Sequence, residues 1–196
     1  MNTRGFTLLE MTVVMAIGTI IMGVLFTLSL GIGDTAEIQD IQVNGGDEVR
    51  RASNELIPRV RQSAASTINW GELPGSTLRF KEVTDLDGNG LAVDTTGNLE
   101  LASETTVSLD TDDLNNDGIG STQLIAVRGD TIRVLANYLA PPIEGYVADD
   151  DPLTPAPGFW VIPDGNGLTI QLLAEGDSRR GYPIRVVHTE FVVPRN

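Results

Sequence analysis

The stretch FTLLEMTVVMAIGTIIMGVLFTLSLGIG, from Phe6 to Gly33, carries one charged residue, Glu10. As an α-helix it would rise about 40 Å, more than the ~30 Å hydrocarbon core of a bilayer, so its length suffices to span. Whatever folds after it is tethered to one membrane-capable helix. Arg4 flanks it on the N-terminal side and no further base occurs before Arg50, which places the N-terminus in the cytoplasm. An ionised carboxylate at the mouth of such a segment is costly unless it finds a partner, so Glu10 is a functional residue by default.

A secretory signal has a shorter apolar run and no acid near its start, and an ordinary single-pass anchor leaves Glu10 unexplained. The string Gly5-Phe6-Thr7-Leu8-Leu9-Glu10, after a very short leader ending in Arg4, resembles the processing signature of type IV pilins and the related pseudopilins of type II secretion. The likeness is most specific over residues 4–10 and extends as a hydrophobicity pattern to about residue 33. It implies a leader at residues 1–5, cleavage after Gly5 by the prepilin peptidase, N-methylation of Phe6 as the mature terminus, and a filament-core helix at 6–33. It also gives Glu10 a role: its carboxylate meets the α-amine of a neighbouring Phe6 and sets the register of assembly. The partners implied are other pilin or pseudopilin subunits, the prepilin peptidase, the inner-membrane assembly platform and the membrane itself.

Beyond Gly33 the composition changes. Val49, Ala52, Leu56, Val60 and Ala64 recur at three- and four-residue intervals, an apolar stripe flanked by Arg50, Arg51, Glu55, Arg59 and Arg61. Residues 34–66 therefore read as an amphipathic half continuing the first, giving one long helix from Phe6 to about Ala65. Gly45-Gly46 and Pro58 are expected to bend or briefly break it.

From residue 67 to 196 the pattern is a β-rich head: STLRFKEV, NLELASETTVSL, TQLIAV, DTIRVLANYL, GLTIQLLAE and YPIRVVHTEFVV are the expected strands. TQLIAV-RGD-TIRVL reads as a tight hairpin and the last pair as a second, longer one. The Arg128-Gly129-Asp130 triplet needs only its turn chemistry, not a cell-adhesion role. ADDDPLTPAPG at 148–158 reads as a solvated surface loop with Phe159 and Trp160 beside it as apolar contacts. The expected fold class is α+β and pilin-like, an antiparallel sheet covered by the apolar stripe of the helix.

The acids outnumber the bases 27 to 13, for a formal charge of −14, which argues against nucleic acid as a partner. Without cysteine there is no disulfide or thiolate chemistry. His188, the single histidine, sits in a strand pattern; Ser178 and Glu190 could be named beside it for a hydrolase, but no nucleophile-elbow, P-loop or dinucleotide fingerprint accompanies them, and no enzyme is expected.

Two loops carry the opening half of an EF-hand spacing: Asp85, Asp87 and Asn89 before Gly90, and Asp113, Asn115 and Asp117 before Gly118. Neither has a glutamate at the closing position, where Thr96 and Leu124 stand, and plain turns account for both. No cofactor is certain; if calcium binds, the second loop is favoured, because Asp110 and Asp112 add carboxylates to it.

The expectation is thus a minor pilin or pseudopilin of J-like or W-like type, anchored in the inner membrane with its head in the periplasm and then assembled in a filament. The alternative is a membrane-anchored periplasmic binding protein that never polymerises.

Overall fold

The computed structural model describes residues 7–147, 156–178 and 181–195, the side chains at 30 and 32–34 apart. One helix, α1 (Leu8–Arg61), runs for 54 residues, about 80 Å. Seven strands follow: β1 (Thr77–Phe80), β2 (Thr105–Leu109), β3 (Leu124–Arg128), β4 (Thr131–Ala136), β5 (Phe159–Asp164), β6 (Gly167–Asp177) and β7 (Pro183–Val192). The architecture is α+β, a long N-terminal apolar helix continuing onto antiparallel sheets.

The helix does not break at either expected interruption. Gly45 is buried where α1 comes closest to the sheet; a Cβ there would lie 3.1 Å from the Ala174 Cβ and 3.6 Å from Val186 Cγ2. The glycine permits close approach, and the burial it allows offsets its low helix propensity. Pro58 falls in the last turn, where only the Asn54 carbonyl, on an exposed residue, loses a donor, and Gln62 still donates to Pro58 O at 3.0 Å. The apolar stripe Val49, Ala52, Leu56, Val60 and Ala64 is buried throughout, and Ile57 joins it.

The head holds two antiparallel sheets rather than one, in the orders β1-β2-β3-β4 and β5-β6-β7. They divide where β4 ends: Tyr138 takes φ of 59° and turns the chain, and the joins are single bridges, Leu139 with Ala174 and Gly75 with Val161. Both hairpins form, β3–β4 with Arg128 opposite Thr131 and β6–β7 over ten residue pairs. Gly129 at φ 56° supplies the β3–β4 turn, and Arg128 pairs with Glu82 at 3.1 Å.

Phe159 and Trp160 are a correction. They are not loop-side contacts but the start of β5, buried and paired with Leu172 and Gln171 of β6, with Trp160 edge-on to Tyr146 at 4.8 Å. Most of the expected surface loop, residues 148–155, lies outside the described residues. The core is continuous from the α1 stripe through Leu78, Phe80, Val107 and Leu124 to Phe159, Leu168, Ile170 and Leu172.

Candidate functional site: the N-terminal helix and its head

Every described side chain of the helix from Leu8 to Ser29 is exposed, and these 22 residues are apolar enough to cross a membrane. A face apolar all round, with nothing of its own chain against it, needs lipid or other helices as its solvent. The threonines within it close their hydroxyls internally: Thr12 donates to Leu9 O at 2.8 Å, Thr19 to Met15 O at 2.8 Å and Thr27 to Gly23 O at 2.6 Å. Each of these threonine hydroxyls therefore keeps a partner when water is removed.

Glu10 sits at the third helical position. Its Oε2 accepts from the Thr7 backbone N–H at 2.8 Å and from the Thr7 hydroxyl at 2.9 Å, while Thr7 Oγ1 accepts from Glu10 N at 3.2 Å. This is a capping box, in which two N–H groups that the helix start leaves open are satisfied reciprocally. The Thr-x-x-Glu spacing of TLLE carries that signal in the sequence, and Thr7 is the residue that the processing pattern alone does not single out. Both hydrogen bonds use Oε2, which leaves Oε1 available to another donor. Gly5 and Phe6 lie outside the described residues.

The C-terminal half of α1 is tied to the head by charge as well as packing. Glu82 accepts Arg59 Nε at 2.5 Å and Arg128 at 3.1 Å, and Glu55 meets Arg133 at 2.7 Å. These pairs are partly exposed, so each adds less than about 1 kcal/mol, and their effect is chiefly orientational. His188 Nε2 lies 3.2 Å from Ser53 Oγ and 3.4 Å from Glu190 Oε2, and Ser53 donates to the same Glu190 oxygen at 2.8 Å. Hydroxyl and carboxylate thus meet one ring nitrogen, whereas a hydrolytic triad needs them on opposite nitrogens. Ser178 is elsewhere, accepting from Tyr182 N in the β6–β7 turn.

In the loop after β1, Asp85 accepts from Gly88 N and Gly90 N, both at 2.8 Å. The Gly90 bond is the largest cause holding the Asp85 carboxyl below the usual range, with Gly88 assisting against partial desolvation. Oxygens of Asp85, Asp87 and the buried Glu100 converge within 4.8 Å. Glu100 does not belong to the EF-type spacing; it arrives because Thr84 N donates to Glu100 O and Val83 bridges Leu101. Asn89 turns back on the loop, donating to Asp87 Oδ2 at 2.8 Å.

The loop after β2 is built differently. Asp113, at φ 50°, accepts from Asp117 N at 3.0 Å and Gly118 N at 3.2 Å. Asp117 accepts from Gln123 Nε2 at 2.8 Å, the first cause of its lowered pKa, then from Ile119 N; Asn115 also donates to it at 3.1 Å. Asp112 is exposed. Asp110 is fully buried: Oδ1 accepts from Leu114 N at 2.8 Å and Oδ2 has no partner. A carboxylate oxygen in that position calls for a cation, a water or a proton.

No curated protein and no solved structure matches the chain. Residues 1–26 match the family described as the prokaryotic N-terminal methylation motif. That motif, seated on an exposed apolar helix long enough to span a bilayer, supports a membrane-anchored, pilin-type protein processed as a prepilin.

Proposed function

We propose that the chain is a minor pilin or pseudopilin, a structural subunit of a type IV pilus or type II secretion pseudopilus rather than an enzyme. The supporting observation is the conjunction at its start: a methylation motif over residues 1–26 laid on a helix whose first 22 residues are apolar and bare. A membrane covers such a surface before assembly, and the helices of neighbouring subunits cover it afterwards. Cleavage after Gly5 creates a cationic amine on Phe6, and Glu10 offers its free Oε1 to a neighbour's amine while Oε2 keeps capping its own helix. Capping and docking then use different oxygens of one carboxylate.

Mass spectrometry of the mature chain decides between this reading and a non-polymerising anchored protein. An N-methylated Phe6 on a chain shortened by five residues is expected; a chain still beginning at Met1, in cells with an active prepilin peptidase, overturns it. Calcium, in this reading, occupies the loop after β2, where the unpartnered buried oxygen of Asp110 favours a cation.

A further inference from the structure

Three of the four sheet edges of the head carry a named bond. Beside β1, Asn69 N donates to Arg79 O, Asn69 Oδ1 accepts from Arg79 N, and Thr67 Oγ1 accepts from Lys81 N. Beside β4, Arg51 Nε donates to Leu135 O and Asn137 N donates to Glu48. Beside β5, Gly75 and Val161 exchange both backbone bonds. The far side of β7 has no such cover among the described residues; Pro183–Val192 pairs with β6 alone, in a continuous register without a bulge. A regular ten-residue edge whose one proline, Pro183, stands at its first position is what soluble proteins ordinarily avoid, because it is a template for another strand. Val187 and Phe191, about half exposed, stand along its outer face.

We propose that β7 pairs with β7 of a second copy of this chain, in parallel and offset by one residue, while both are anchored in one membrane. The inference rests on the membrane anchoring read above and not on filament assembly. Direction follows from α1. Gly45 approaches Val186, Ser53 bonds His188 and Glu190, and Ala64 forms a parallel bridge with Arg195. Helix and strand therefore run the same way: Ile41 to Arg61 rises about 30 Å as helix, and Ile184 to Val192 spans about 26 Å as strand.

Since α1 continues into the apolar span, two copies in one bilayer present β7 in the same direction. An antiparallel pair, the usual way to join two edges, would send the two spans to opposite sides. A half-turn about the strand direction, with a shift of one residue or about 3.3 Å, gives the parallel pair and puts the two helices on opposite faces of the joined sheet, so they do not collide. Neighbours on one face then differ by one in number: Val187 lies beside Val186 or His188, Arg185 beside Ile184 or Val186, and Glu190 beside Thr189 or Phe191. No like charges meet, although each chain carries −14 overall.

The absence of cysteine makes the test direct. Differently tagged Val186→Cys and Val187→Cys copies are co-expressed and their membranes mildly oxidised. A disulfide-linked heterodimer is expected, several-fold above that from Thr131→Cys with Val187→Cys, and the same from Val187→Cys with His188→Cys. Arg185→Cys with Thr189→Cys, which an antiparallel pair would join, should give none. No heterodimer above the Thr131 control from either adjacent pair, or a dominant Arg185–Thr189 product, overturns the proposal. Alkaline extraction of the same membranes separates the two ideas: chain that stays in the pellet without cross-linking sinks only the β7 pairing, whereas chain released to the supernatant sinks the anchoring itself.

Discussion

Adjacent glycines in α1 should respond in opposite senses to the same substitution. In a helix interior, Gly→Ala is worth about 1 kcal/mol of propensity. At Gly46 a new Cβ finds its nearest neighbour, Val186 Cγ1, at 4.0 Å, an ordinary contact, so Gly46→Ala should keep that gain and stabilise the head by up to about 1 kcal/mol. At Gly45 the Cβ would lie 3.1 Å from the Ala174 Cβ, which is fixed to the β6 backbone and cannot swing away. Overpacking of this kind costs about 1–3 kcal/mol, so Gly45→Ala should fall between neutral and about 2 kcal/mol destabilising. For a chain of this size 1 kcal/mol moves the melting temperature by roughly 2–4 °C. Thermal unfolding of the full chain in detergent, followed by near-ultraviolet dichroism of the head, should show Gly46→Ala rising and Gly45→Ala flat or falling. If both variants rise equally, the close approach of α1 to β6 does not explain why the helix tolerates two glycines.

Three further outcomes are expected. Glu10→Ala should leave membrane insertion and cleavage after Gly5 intact while the chain disappears from sheared filaments; equal incorporation of variant and parent would show that Glu10 does not direct docking. Asp94, held down to about 2 first by the Thr96 hydroxyl and then by Asn98 N, contributes order to its turn that is present above the ordinary carboxyl range and lost as pH falls towards 2; an NMR titration in which Asp94 ionises with the other exposed carboxyls refutes this. Calcium should raise the melting temperature of the full chain relative to chelator, Asp110→Asn should abolish the rise and Glu100→Gln should not; the reverse pattern moves the ion to Asp85, Asp87 and Glu100, and no rise in the parent leaves both loops as simple turns.

What the sequence made legible was what short-range pattern encodes. The spacing from Val49 to Ala64 marks a buried stripe because residues three and four apart share a helix face, and the β3–β4 and β6–β7 hairpins are written in alternation broken by turn residues. β5 was hidden for the opposite reason: Pro163 and the acidic, proline-spaced stretch before the strand make FWVIPDGNG look like loop, although a Gly-Asn turn between two apolar runs, here Gly165-Asn166, is a hairpin signal. Glu100 had no local mark at all. It joins Asp85 and Asp87 through the bridge of Val83 with Leu101 and the bond from Thr84 N to Glu100 O, contacts that no spacing rule anticipates.

The continuity of α1 has a consequence for how the head is presented. Ile41 of α1 packs beside Gly176 of the head, whereas the apolar span ends at Ser29. The intervening helix rises about 18 Å, and each residue of it turns the chain by about 100°. A flexible linker would let the head rotate freely over the membrane. A helix does not: the face that Gly45 lays against Ala174 and the face that carries Glu10 are held at a fixed angle. One residue more or less between Ser29 and Ile41 would swing β7 and the acidic loops by about 100° relative to the face that carries Glu10. Four residues would restore most of the angle and lift the head by about 6 Å. The length of the segment between Ser29 and Ile41 thus sets the phase between two surfaces of the chain.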